Sequence, residues 1–243
     1  MNTLLVLGGS SDIAKAVAHR YAKAGWNIVL AGRNPKLLSE DARDIEIRYR
    51  VQGRAVGFDV LKPSAHGKFY ATLSPQPDGV VCAVGTMGDQ GLSQADFAEA
   101  GRIIDTNFVG CVSILNLIAN DFETRKRGFI IGISSVAGER GRGSNYTYGS
   151  AKAAFTAYLS GLRNRLARSG VQVLTVKPGF VHTKMTERLM LPAMLSTHPA
   201  YVGEKIFDAQ QRGADVLYTK WFWRWIMLAI RLVPERIFKK LSL

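Results

Sequence analysis

The first thirty-one residues constrain the fold more than any other stretch. Residues 3–7, Thr-Leu-Leu-Val-Leu, make a short unbroken apolar run of the kind a parallel strand buried on both faces requires. Gly8-Gly9-Ser10-Ser11 then turns the chain into a helix that the apolar spacing carries from about Asp12 to Lys23. A second apolar run, Asn27 to Ala31, follows Gly25. Strand, glycine turn, helix and strand at this spacing form a βαβ unit. Its free N–H groups and helix dipole point at whatever sits over the turn, so Gly8, Ser10, Ser11, Asp12 and Ile13 predict a cradle for an anionic phosphate.

Further strands near 54–58, 79–84, 128–133, 171–176 and 215–218 alternate with helical stretches. That alternation predicts one α/β domain, a Rossmann-like doubly wound parallel sheet of about seven strands covered on both faces. At 243 residues, 47% of them hydrophobic, the chain is long and apolar enough for one core, and no repeat or low-complexity linker divides it. Cys82 and Cys111 lie in apolar segments and suit buried thiols of a reducing compartment. A strand that begins at residue 3 leaves no room for a signal peptide, which points to the cytoplasm. His182 and His198 are isolated and show no metal-ligand spacing, so no metal site is expected.

Tyr148 and Lys152 stand four apart in a helical stretch, one turn above each other on one face. An ammonium beside a phenol favours the phenolate, which turns a poor acid–base group into a useful one. Ser135 lies upstream, where it could hydrogen-bond the same carbonyl oxygen that Tyr148 protonates. Such a set reduces a ketone when a hydride donor sits opposite, and the N-terminal cradle offers that donor a seat.

Taken together, these residues resemble the short-chain dehydrogenase/reductase family, in the right order over nearly the whole chain. Cys82-Ala83-Val84-Gly85 looks like the family's N-A-G segment, Asn107 like its helix asparagine, and Ile133-Ser134-Ser135 like its serine strand. Pro178-Gly179-Phe180-Val181-His182-Thr183 matches the P-G-x-V-x-T segment beside the nicotinamide. The resemblance implies Asn107, Ser135, Tyr148 and Lys152 as catalytic residues. Tyr148 would donate the proton, Lys152 would also bond the nicotinamide ribose, Ser135 would orient the carbonyl and Asn107 would hold a water leading from Lys152 to solvent. Ser134 and Tyr146 lie off the family's spacing. Asp59 and Val60 fall where the family holds the adenine ring, and Ala83, Gly85, Pro178, Gly179, Val181 and Thr183 would line the cofactor site.

Two positions depart from the family pattern. Asp12 and Ala14 replace the last two glycines of its T-G-x-x-x-G-x-G turn, and the N-A-G asparagine is gone. Ala14 is small enough for close helix–strand packing. Asp12 reads as a first-turn acid that stabilises the helix dipole by about 0.3–1 kcal/mol, with a regulatory or cofactor-selecting role as the alternative. After the second strand stands Gly32-Arg33-Asn34, with no acid to hold ribose hydroxyls, so Arg33 predicts NADPH, with NADH as the alternative.

Lys and Arg exceed Asp and Glu by thirteen, which implies an anionic partner or surface. No nucleic-acid module accompanies the charge. Arg140 and Arg142, in the loop after Ser135, are expected either to bind a substrate phosphate or to be solvated. The domain is expected over 1–219, with 183–212 as the family's substrate lid; its three methionines among leucines suit a hydrocarbon chain. Residues 220–243 read as an amphipathic helical tail, with Lys220, Arg224 and Arg231 on one stripe and Pro234 breaking the helix. The tail is too short and too charged to span a bilayer, which takes about 20 mostly apolar residues. It is expected to lie on an anionic membrane surface, or else to cover the core or a partner subunit.

Within the family, three stretches resemble the decaprenylphosphoryl-2-keto-ribose reductases. They are Ser134 to Arg142, Pro178 to Thr186, and the ending Val233-Pro234-Glu235-Arg236-Ile237-Phe238-Lys239-Lys240-Leu241. The resemblance implies a lipid-linked sugar phosphate substrate, a flavin-dependent oxidase acting one step earlier, a homo-oligomer, and a place on the inner face of the membrane. A reductase of another lipid ketone is the alternative. A non-catalytic dinucleotide-binding protein would have no reason to keep Asn107, Ser135, Tyr148 and Lys152 together.

Overall fold

The computed structural model describes residues 1–187, 190 and 192–241. The chain opens with β1 (Thr3–Leu7), α1 (Asp12–Lys23), β2 (Asn27–Gly32), α2 (Pro35–Tyr49), β3 (Gly53–Gly57) and α3 (Pro63–Ala71). Next come β4 (Gly79–Cys82), α4 (Gln90–Ala95), α5 (Phe97–Ile104), α6 (Gly110–Arg125), β5 (Phe129–Ile133) and α7 (Tyr146–Leu166). It closes with β6 (Gln172–Lys177), β7 (Phe180–Val181), β8 (Ser196–Thr197), α8 (Pro199–Gln211), β9 (Val216–Tyr218), α9 (Phe222–Leu232) and α10 (Glu235–Phe238).

Seven strands form one parallel sheet in the order β3-β2-β1-β4-β5-β6-β9, and β7 and β8 pair separately. The apolar run of β1 conceals a period of two. Leu4 and Val6 enter the core shared with α1, α2 and α8, while Leu5 and Leu7 enter the core shared with α6 and α7. A strand with cores on both faces has no use for a polar position, which is why the alternation is invisible in the sequence. β4 stops at Cys82, two residues short of the expected strand, because Ala83 and Val84 leave the sheet to line a cleft.

One expected boundary differs. The lid at 183–212 does not extend through α8, which buries Val202, Ile206 and Ala209 in the same core as α1, while Thr183, Met185 and Thr186 line the cleft. Within the lid, Arg188, Leu189 and Leu191 lie outside the described residues. Residues 220–241, expected as an amphipathic tail on a membrane surface or else covering the core, have one side on the core. α9 folds back and buries Trp223 and Met227 against Val136, with Phe180, Leu195 and Tyr218 around them.

Candidate active site

The site forms where the strand order reverses, with β1 paired to β2 on one side and β4 on the other. In open parallel sheets this crevice, beyond the carboxyl ends of the strands, is the natural ligand site. The turn after β1 needs glycine at Gly8: its φ is 80°, and a Cβ there would stand 2.8 Å from the Val84 nitrogen and 2.9 Å from the Ala83 carbonyl carbon. The Gly8 and Gly9 amides both donate to the Ala31 carbonyl, at 2.9 and 3.0 Å. Ser11 caps α1 without a side-chain hydrogen bond, so the first-turn amides face the cradle.

One cleft is lined by Ser11, Ile13, Ala83, Gly85, Ser135, Tyr148, Lys152, Pro178, Gly179, Val181 and Thr183, all proposed from the sequence. Gly8, Ser10, Asp12, Arg33, Asp59 and Val60 sit outside that lining, on the turns after β1, β2 and β3. Arg33 is exposed immediately past β2. Asp59 is held by His66, a residue sequence reasoning did not single out. Its Nε2 donates to the Asp59 carbonyl at 3.1 Å, which leaves Nδ1 to accept from Ser113 Oγ at 2.9 Å.

Lys152 is buried, and its ammonium donates to the Ile133 carbonyl at 3.1 Å while standing 5.8 Å from the centre of the Tyr148 ring. Ser135 Oγ accepts from the Ala137 amide at 3.1 Å, so its own hydrogen is available to a ligand. Ser134 differs: its hydroxyl bonds the Lys152 carbonyl at 3.0 Å and Thr156 Oγ1 at 2.6 Å, fastening α7 to β5. Tyr146 is exposed at the start of α7 and outside the lining. Asn107 lies in a widened helical turn, Asp105–Val109, between α5 and α6. Its Nδ2 donates to the Thr86 and Ile103 carbonyls at 2.7 and 2.8 Å, and its Oδ1 accepts from the Thr86 amide at 3.2 Å. The role visible in the structure is to brace the backbone beside Gly85.

Asp12 begins α1, where an acid complements the dipole, and it has a second task. Its carboxylate accepts from the Lys184 amide at 2.8 Å, tying the first lid residues to the cradle.

The two loop arginines part company. Arg140 is no substrate ligand: its Nη1 donates to the carbonyls of Ile230, Arg231 and Val233 at 2.6, 3.2 and 2.7 Å, and its Nη2 to Glu235 at 2.9 Å. Its guanidinium also stacks 3.7 Å over Phe238. Those carbonyls end α9, so Arg140 caps a helix C-terminus. Arg142 instead lines the cleft. Its Nη2 lies 3.5 Å from the Met227 sulfur, its buried Nε has no partner, and burial pushes its pKa below the ordinary guanidinium value. Beside it the buried Oδ1 of Asn145 also lacks a partner, although Asn145 caps α7, where such an oxygen ordinarily bonds a helix amide. Nothing in the sequence marks Asn145.

The loop carrying these groups is anchored by Glu139, another residue not foreseen. Its carboxylate, on a side chain only 6% exposed, accepts from Lys177 Nζ at 3.0 Å and from the Tyr218 hydroxyl. Burial, then the Glu139 bond, raises the Tyr218 pKa well above that of an ordinary phenol.

A phosphate cradle at the switch point, faced by a serine, a tyrosine and a buried lysine, defines a dinucleotide-dependent oxidoreductase for carbonyl and alcohol groups. The chain belongs to the short chain dehydrogenase family, whose sequence model matches residues 2–192, and it is an NAD(P)-dependent enzyme. It is 37% identical over 241 residues to an uncharacterized oxidoreductase of Mycobacterium tuberculosis, covering 98% of this chain and 96% of the relative. An uncharacterized oxidoreductase of Streptomyces coelicolor is 32% identical over 244 residues, covering 98% and 95%. Among solved structures, a short-chain dehydrogenase from Sphingobium yanoikuyae in complex with NADPH shares the fold at a TM-score of 0.84 and 22% identity, covering 94% of this chain and 92% of that one.

Proposed function

We propose that the protein uses NADPH to reduce the 2-keto group of a polyprenyl-phosphoryl 2-keto-ribofuranose, giving the arabinofuranose, at the inner face of a membrane. The observation that carries this reading is the pair of buried, unpartnered polar atoms in the cleft, Arg142 Nε and Asn145 Oδ1. Buried polar groups are ordinarily satisfied, so two orphans in the wall of a cleft mark a polar patch that a small shift of either side chain would present to a ligand. A fixed cation suits a phosphate and an amide oxygen suits a sugar hydroxyl. Met87, Val136, Phe180 and Met185 supply apolar walls for a lipid portion. The resemblance of the C-terminal ending to the keto-ribose reductases selects this substrate among anionic ketones.

The residues fit a dinucleotide. Gly8, where a Cβ would collide with the Ala83–Val84 backbone, lets the turn close tightly on that segment, and Ser10, Ser11 and Ile13 would hold the pyrophosphate at the α1 N-terminus. Arg33 would take the 2′-phosphate, and Asp59 and Val60 the adenine end. When bound, the cofactor supplies hydride to the carbonyl carbon. The protein supplies the proton, which passes from Tyr148 Oη to the carbonyl oxygen as that oxygen gains charge. Ser135 donates a hydrogen bond to the same oxygen, and the Lys152 ammonium favours the phenolate left behind.

Product analysis tests this reading, using polyprenyl-phosphoryl ribose, a flavin-dependent oxidase, NADPH or NADH, and this protein. Arabinose is expected only with the complete mixture and faster with NADPH. Arg142→Met should raise KM for the keto-sugar about 10–100-fold, the loss of a charge-assisted hydrogen bond, without weakening dinucleotide binding. Keto-sugar that accumulates in the complete mixture would refute the proposal and favour another lipid ketone.

A further inference from the structure

We infer that the outer face of α9, with the lid methionines beside it, docks the protein onto an anionic lipid surface. α9 is apolar on two sides. Its inner side buries Trp223 and Met227, while its outer side exposes Trp221, Trp225, Leu228 and Leu232, the first of these 75% exposed and the last 73%. Their spacing of four, three and four residues makes one continuous stripe. Two apolar sides on one helix call for two covers, and the described residues cover only one side.

The stripe does not end with the helix. Lys220 Nζ donates to the Met194 carbonyl at 3.1 Å and Trp223 Nε1 to the Leu195 carbonyl at 3.3 Å, which joins the lid to α9. Met194 stands at that junction, 88% exposed, and Met190 of the same segment is 100% exposed.

Charge chooses the occupant. Arg224 and Arg231 are interleaved with the stripe, and Arg236, Lys239 and Lys240 follow it, all exposed. The one acid between residues 220 and 241, Glu235, is paired with Arg140 at 2.9 Å. Tryptophans at headgroup level with cations on anionic lipid are the signature of a helix lying in a membrane interface. A second copy fits poorly, because two-fold symmetry would set a patch whose unpaired charges are all positive against a copy of the same patch. Spanning does not fit either. α9 has 11 residues, about 16 Å of helix against an apolar layer of about 30 Å. The run Phe97–Arg125 is long and apolar enough to cross, but its Ile114, Leu115, Ile118 and Phe122 lie in the core. This inference rests on the surface and is independent of the proposed substrate.

The test is co-sedimentation of the full chain with vesicles of phosphatidylcholine alone or mixed equally with phosphatidylglycerol. Parallel runs at about 0.1 M and about 1 M salt shorten the Debye length from ~10 to ~3 Å. The unaltered chain should pellet with the anionic vesicles and be released by salt. Trp221→Ala/Trp225→Ala should lower the bound fraction about tenfold, with Tm and dinucleotide binding unchanged. Equal binding by both chains, or no preference for anionic vesicles, would overturn the inference. So would a dimer in sedimentation velocity that the same two substitutions abolish.

Discussion

Trp221 and Trp223 lie two residues apart, yet the structure gives their truncation opposite consequences. Trp223 is 3% exposed, packs edge-on against Phe180 with ring centroids 5.3 Å apart, and donates to the Leu195 carbonyl. It is seated so closely on Gly179 that a Cβ there would meet its Nε1 at 2.0 Å. Replacing so buried a tryptophan with alanine costs about 3–5 kcal/mol. In a chain of this size each kcal/mol moves Tm by about 2–4 °C, so Trp223→Ala should lower Tm by about 6–20 °C. Trp221 is 75% exposed and touches Phe222 edge-on, so Trp221→Ala should cost no more than about 0.5 kcal/mol, or about 2 °C. Thermal melts of the two variants decide the matter, and ketone-reduction kinetics add a second reading. Because Trp223 holds the lid at Leu195 and the cleft-lining loop at Gly179, its loss should also raise KM. Equal shifts in the two variants, or a shift under about 2 °C in Trp223→Ala, would refute the view that α9 supports the site from behind.

Tyr148→Phe should cut turnover by about 10²–10⁴-fold while leaving dinucleotide affinity within a few-fold, measured by protein fluorescence; near-normal rates would remove Tyr148 from the proton step. Gly8→Ala forces a Cβ into the φ of 80° and into the Ala83–Val84 backbone. With about 1–2 kcal/mol for the backbone and about 1–3 for the overlap, Tm should fall by about 4–20 °C and dinucleotide binding should weaken; intact binding would show that the cradle lies elsewhere. Burial raises the Tyr21 pKa far above its ordinary value, so the unfolded chain ionises first. Its contribution is therefore complete below about pH 10 and declines as pH rises further, by about 1.4 kcal/mol per unit. Tyr21→Phe should flatten the fall of Tm above about pH 10, and superimposable alkaline profiles for the two chains would contradict this assignment.

Arg140 and Arg142 show why part of the site was illegible in the sequence. Both are loop arginines two residues apart, and each was an equal candidate for a phosphate. Arg140 is committed by carbonyls 90 to 93 positions away, which no local pattern announces. Asp12 bonds an amide 172 positions along the chain, and Glu139 pairs with Lys177, 38 positions away. The expected lid overran into α8 because an apolar helical spacing reads the same whether it covers a ligand or a core. Asn145 looked like any loop asparagine until packing left its oxygen buried beside the cleft.

Other features were legible because their causes are local. Buried parallel strands demand apolar runs, the turn after β1 demands a glycine with positive φ, and helical pitch sets Tyr148 and Lys152 one turn apart wherever the helix goes. The sequence by itself therefore determined the doubly wound sheet, the cradle and the candidate catalytic pair. Only the tertiary structure decided which arginine faces the cleft, that α9 packs behind the residues that line it, and that an apolar stripe remains on the surface. Those outcomes depend on which distant segments meet, and contacts of that kind leave no period in the chain that makes them.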